Sequence, residues 1–137
     1  MSTKIRRIEY YHTTVTDEPG KAYDLLSKLS FAGVSLLAFS AIPVGPKQTQ
    51  LVLFPDDPAM LLRFAEEVAI ELTGPQPVFL IQGDDELGAL VKIHQDLSEA
   101  NVNVYRSGGV TDGKGGYGYL VYVRQADFER AARVLGV

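Results

Sequence analysis

Cysteine and tryptophan are absent from this chain of 137 residues, and histidine occurs only twice. Without cysteine there are no disulfides, no thiol nucleophile and no thiolate-bound metal. The two histidines, His12 and His94, lie far apart in sequence with no second ligand at metal spacing, so neither a metal site nor a cofactor is expected. No apolar run approaches the roughly 20 residues that span a bilayer. The start, Met1 to Arg7, is basic but lacks the apolar core of a signal peptide. These features fit a cytoplasmic protein. Basic residues are outnumbered, 13 against 17, giving a net charge of −4 and a pI near 5.1. Attraction to nucleic-acid phosphates is unfavourable overall. Several motifs are missing too. There is no G-x-x-x-x-G-K-[ST] loop, no G-x-S-x-G elbow and no RNA-binding aromatic signature.

What remains is an ordinary globular composition, 46% hydrophobic and 22% charged. The length suits one domain or two small modules sharing a core. Ile8 to Val15 is rich in Tyr, Thr and Ile and reads as a strand. Asp17 is placed to cap the next helix, with Pro19 in its first turn. Ala22, Leu25, Leu26 and Leu29 recur at helical spacing, and Gly33 stops the helix. Val34 to Ile42 and Thr49 to Phe54 read as a hairpin turned by Pro43, Gly45 and Pro46. Asp57 and Pro58 open a second helix with Leu61, Phe64, Ala65, Val68, Ala69 and Leu72 inward. Thr73 to Pro77 reads as a linker.

The order then repeats. Pro77 to Gln82 is a strand and Glu86 to Ala100 a helix, with Leu87, Leu90, Val91 and Leu97 inward. Asn101 to Val110 and Gly118 to Val123 form a hairpin around the glycine-rich stretch from Gly108 to Gly118. Phe128, Ala131, Ala132 and Leu135 line a closing helix. Gly20 and Gly88, Ala32 and Ala100, and Val34 and Val102 are each 68 positions apart, and Leu51 and Leu120 are 69 apart. One recurring offset argues for duplication. Each copy reads βαββα and lacks the last strand of the ferredoxin-like βαββαβ order. Pro77 to Gln82 could double as the fourth strand of the first copy, but nothing after Val137 supplies one to the second.

Asp17-Glu18-Pro19-Gly20, a helix, and then Ala32-Gly33-Val34 resemble the ACT domain, the ligand-sensing module attached to many amino-acid biosynthetic enzymes. The second copy is looser: Leu87 replaces the proline and Asn101 the second glycine. The resemblance implies an α+β fold of tandem ferredoxin-like modules, residues 1–74 and 75–137, with antiparallel sheets carrying helices on one face. It implies an amino-acid ligand at a module interface, held at the strand–helix elbow and the opening of the second strand. Carried over, those positions are Asp17, Gly20, Gly33 and Val34, then Asp85, Gly88, Asn101 and Val102. Asn103 adds an amide beside them. Helix N-termini suit a carboxylate and aspartates suit an ammonium group. The implied protein is a non-catalytic regulator, a homodimer acting through an enzyme or regulator partner.

Two other roles compete. The scaffold could serve as a ligand-free interaction module that recruits a partner through a sheet edge. A small acyl-phosphate hydrolase would need an arginine at an elbow, and these elbows are acidic: Asp84, Asp85 and Glu86 stand together at the second. The stretch from Ser107 to Gly118 is expected to be a hairpin tip, or a lid over a nearby site.

Overall fold

A computed structural model describes residues 3–137. Its ten main elements are β1 (Lys4–Thr16), α1 (Lys21–Phe31), β2 (Leu36–Gly45), β3 (Gln48–Pro55), α2 (Pro58–Glu67), β4 (Thr73–Asp84), α3 (Val91–Glu99), β5 (Val104–Thr111), β6 (Gly116–Val123) and α4 (Phe128–Leu135). The fold is α+β, with six strands and four helices. It forms two compact units, and the division falls inside the two longest strands. Glu9–Gln76 is the first unit. The second is Pro77–Val137 together with the β1 residues up to Ile8.

In the first unit the strands run β2-β3-β1, with the start of β4 beyond β1. Tyr11 lies opposite Leu53, and Ala41 opposite Leu51, in antiparallel ladders. Alternation puts Tyr11, Leu51 and Leu53 on one face. There they pack with Leu25 and Leu29 of α1 and Leu61 and Phe64 of α2. The α2 start is as expected: the Asp57 carboxylate accepts the Ala59 N–H at 3.1 Å, with Pro58 behind it. Val68, expected inward, follows the last turn and is exposed, because the helix ends at Glu67.

In the second unit the order is β1-β4-β6-β5. Phe79 lies opposite Val121 and Ile81 opposite Tyr119. These four pack with Ile93, Leu97, Phe128, Ala131 and Ala132 of α3 and α4. The Phe79 and Phe128 rings stack with centroids 4.4 Å apart. Arg7 anchors the β1 end, donating to Glu129 at 3.0 Å and to the Val137 carbonyl at 3.1 Å. Arg130 donates to the carbonyls of Ala100 and Asn101, which close α3.

Several expectations need correction. The first strand begins at Lys4 rather than Ile8, and its start supplies the neighbour to β4 that the second half was expected to lack. Thr73 to Pro77 is strand, not linker. At Gly74 the φ is +138° and a Cβ would stand 2.9 Å from the Tyr10 carbonyl oxygen, so glycine is what permits this close pass. The β2–β3 turn is only Pro46-Lys47, with Pro43 inside the strand opposite Thr49. The glycine-rich stretch is mostly strand, and its tip is residues 112–115. Gly109 pairs with Tyr119, whose ring fills the space that a Cβ would take. Asp112 fixes the tip by accepting the N–H groups of Lys114 and Gly116, which pulls its carboxyl below the usual range.

One pair of strands recurs at the offset of 68. β3 and β6 start at Gln48 and Gly116 and end at Pro55 and Val123, 68 residues apart throughout. Leu51 and Leu53 therefore correspond to Tyr119 and Val121, one step from the match at 69 suggested by residue identity.

Candidate functional site

Both strand–helix elbows are tied by their aspartate backbone rather than its side chain. The Asp17 N–H donates to the Lys47 carbonyl at 2.9 Å, and the Asp85 N–H to the Gly115 carbonyl at 2.8 Å. Each elbow is thus fastened to the hairpin tip of its own unit. Asp17 does not cap α1. The N-cap is Gly20, left-handed at φ 88°, and no side chain caps the helix. Pro19 precedes the helix rather than lying in it. The Glu18 carboxylate is held by the Thr16 hydroxyl at 2.9 Å and by Lys21 at 3.8 Å. A Cβ on Gly20 would meet nothing within 4 Å, so the elbow is open.

The second elbow is longer. α3 begins at Val91, not Glu86, because turns through Gly88 (φ 77°) intervene. Leu87 and Val91, expected inward, are exposed, and Ile93 takes the core position instead. α3 also begins without a side-chain cap.

The helix stops follow the expected pattern. Gly33 (φ 78°) and Asn101 (φ 60°) are both left-handed. Their N–H groups return to Ser30 and Ser98, and those of Val34 and Val102 to Leu29 and Leu97. Asparagine tolerates this conformation, which lets it replace the second glycine. Val34 and Val102 are buried in their cores.

Among the described residues, three clefts each lie within one unit. The first unit holds one of about 630 Å³ between β1, α1 and residues 70–73. His12 to Thr16 form one side, with Lys21, Asp24 and Lys28 of α1 facing Ile70, Glu71 and Thr73. Its cause is the length of β4. Ile70 is still bonded to Ala65 at the close of α2, and the strand starts only at Thr73. Gly74 lies against Tyr10 and Tyr11, so β1 beyond His12 runs past the start of β4. In the second unit the corresponding end is covered, with Thr3 beside Gly83. The cleft carries two lysines and two carboxylates. Lys28 pairs with Asp24 at 3.2 Å, and Gln50 and His12 meet at 3.1 Å.

The second unit holds a cleft of about 450 Å³ between its elbow and the β5–β6 hairpin. Asp85 and Gly88 line it with Leu90, Val110 and Tyr117. Burial raises the Tyr117 phenol above its usual pKa, and Asp84 and Glu86 add to that, so the region is negative. The third cleft, about 600 Å³, lies between α3 and β5. Asn101, Val102 and Asn103 line it with His94 and Arg106.

The nine expected residues fall in several places within the two units. Asp85 and Gly88 share one cleft, and Asn101, Val102 and Asn103 another. Asp17 and Gly20 border the polar cleft without lining it, between its lining residues Thr16 and Lys21. Gly33 and Val34 line none of the three. Lys21, Asp24, Lys28 and Glu71 were not anticipated. The Thr13-Thr14-Val15-Thr16 run and the charged side of α1 were the available signals. Among the described residues no group of His, Asp or Glu is placed to hold a metal, and no helix is long and apolar enough to cross a membrane.

Neither a family model nor a curated protein matches the sequence. Solved structures do match its fold. A Bacteroides thetaiotaomicron protein is similar over 96% of this chain and 88% of its own, with a TM-score of 0.81 and 14% identity. The ligand-free regulatory subunit of aspartate kinase from Thermus thermophilus covers 99% and is covered over 96%, with a TM-score of 0.64 and 13% identity. A structure of aspartokinase alpha and beta subunits covers 98% and is covered over 95%, at 0.61 and 18%. The fold matches the ACT family.

Proposed function

We propose that this chain is a small-molecule-sensing regulatory protein whose ligand is a free amino acid. One observation carries the reading: the first unit's cleft presents both charge signs beside an open stretch of strand. A zwitterion needs that pairing. Lys21 or Lys28 meets its carboxylate, Asp24 or Glu71 its ammonium group, and the free edge of β1 offers backbone donors and acceptors. Asp17 and the open backbone at Gly20 border the entrance. The likeness to aspartate kinase regulatory subunits supports a sensing role and a non-catalytic one.

The recurrence at 68 residues supports a duplicated βαββα plan, two ACT-like modules of about residues 1–74 and 75–137 that lend each other the ends of their first strands. The remaining positions, Gly33, Val34, Asp85, Gly88, Asn101, Val102 and Asn103, then act as helix stops and secondary contacts. The protein works in the cytoplasm as a homodimer and signals through a partner enzyme or regulator.

A melting screen against the twenty amino acids tests this. A ligand at a hundred times its Kd adds about 2.7 kcal/mol, a shift of several degrees at this size. One amino acid should raise the melt, and Lys21→Ala and Asp24→Ala should abolish the rise. Asp17→Ala, which removes no cap, should leave the ligand-free melt unchanged and reduce the rise. A flat screen on protein freed of co-purified ligand would instead favour the ligand-free interaction module.

A further inference from the structure

The residue after the left-handed glycine differs in charge between the two elbows. In the first unit it is Lys21, which follows Gly20 and pairs with Glu18 at 3.8 Å. In the second it is Ala89, which follows Gly88. The second elbow nevertheless carries one more acid, with Asp84 where the first has Thr16. Asp84, Asp85 and Glu86 are exposed and enter no ion pair among the described residues. Like charges side by side repel one another, and an arriving cation relieves that repulsion.

The hairpin opposite differs as well. Tyr117 and Tyr119 of β6 stand where β3 has Thr49 and Leu51. Gly109 lies across from Tyr119 as Ala41 lies across from Leu51. Both tyrosines are on the helix side of the sheet: Tyr119 belongs to the core with Ile93 and Leu97, and Tyr117 and Leu90 pack against it. These rings and Leu90 form the base of the cleft of about 450 Å³. Ala89 and Val91 wall it on the elbow side, Gly109 and Thr111 on the β5 side. Val91 is 66% exposed, an apolar side chain left uncovered. Asp85 and Glu86 line the cleft too, whereas no lysine, arginine or histidine does among the described residues. Burial first, then Asp84 and Glu86, raise the Tyr117 phenol, so the field of the acids reaches the base. An apolar hollow of this size with a few polar groups to one side is the usual form of a small-molecule site. It does not suit a zwitterion, because no cation lines it to meet a carboxylate.

We propose that this cleft binds a small hydrophobic amine, its apolar part on Leu90, Val91 and Tyr119 and its ammonium group at Asp85 and Glu86. Burial of the apolar part supplies affinity. The acids select a cation over a neutral or anionic molecule of the same shape. The site lies in the second unit and is independent of the amino-acid cleft in the first.

The test is an amide-resolved NMR titration of the full chain with phenethylamine, phenethyl alcohol and phenylacetate, which share a ring and differ in charge. The amine should give saturable shifts at residues 85–91, 109–111 and 117–119. It should bind about fivefold tighter than the alcohol and lose that advantage in high salt, and phenylacetate should bind least. Glu86→Gln should weaken the amine about threefold and leave the alcohol unchanged. Ala89→Lys, which gives this elbow the lysine of the first, should weaken the amine further and favour phenylacetate. Melting curves establish that each variant is folded. Absence of saturable shifts at those residues, alcohol or phenylacetate binding as tightly as the amine, or an amine affinity unmoved by Ala89→Lys would each overturn the proposal. So would phenylalanine binding there as tightly as phenethylamine, because the acids would then tolerate a carboxylate. None of these outcomes alters the amino-acid melting screen or its Lys21 and Asp24 variants, so the two readings fail separately.

Discussion

The two units use the same elements in the same order but spend their loops differently. In the first, Pro19 and Gly20 leave a short, open elbow beside a cleft with charges of both signs. In the second, a longer elbow through Gly88 brings three consecutive acids and apolar side chains against the hairpin. The first unit's β1 runs past the start of β4, whereas Thr3 reaches Gly83 in the second. The cores stay alike because Leu29 and Leu97, 68 positions apart, each sit under the same turn of the first helix.

That core equivalence makes the strongest test. Leu29→Ala and Leu97→Ala, at side chains that are 1% exposed in both cases, should each cost about 2–5 kcal/mol in denaturant unfolding. Costs differing by more than this range would break the equivalence.

A smaller effect separates two glycines of the first unit. Gly74→Ala drives a methyl group into the Tyr10 carbonyl and the Tyr11 ring, both at 2.9 Å, and should cost about 1–3 kcal/mol. Gly20→Ala meets only the left-handed backbone, with open space around it, at about 1–2 kcal/mol. Gly74→Ala should be the more damaging in thermal melts. The reverse order would mean that the elbow is more constrained than the strand crossing.

The smallest effect concerns the hairpin tip of the second unit. The Asp112 carboxyl lies below its ordinary range because it accepts the Lys114 and Gly116 N–H groups. A group depressed in the folded state stabilises above its unfolded pKa of about 4 and loses that contribution as pH falls through the folded value. Asp112→Ala should therefore lower the melting temperature slightly at neutral pH and flatten its decline in acid. An acid decline as steep as that of the unaltered protein would contradict this.

How much of this was legible in the sequence depends on how local the cause is. Asp57-Pro58, the Gly33 stop and the Leu25/Leu29 face follow from spacing alone, and all are found. Thr73 to Pro77 reads as a linker because Gly and Pro signal a break, while pairing with β1 keeps the segment extended. The glycine-rich hairpin departs from its sequence pattern for a related reason: Tyr119 lies across Gly109, so a residue poor at forming strands becomes part of one. Leu87 and Val91 fit an inward pattern only if the helix starts at Glu86, and the turns through Gly88 remove that phase.

The candidate site was half legible. The elbows follow from the motif, but the polar cleft joins β1, α1 and residues 70–73, which meet only through the fold. Likewise Asp85 and Asn101 fall in different clefts although the motif treats them as one site.

The most direct measurement is an amide-resolved NMR titration of the full chain with whichever amino acid raises its melting temperature most. Saturable shifts should concentrate at residues 12–16, 21–28 and 70–73, with the second unit's elbow at residues 85–91 little changed. Shifts centred on residues 85–91, or none that saturate, would contradict the assignment of the ligand to the polar cleft.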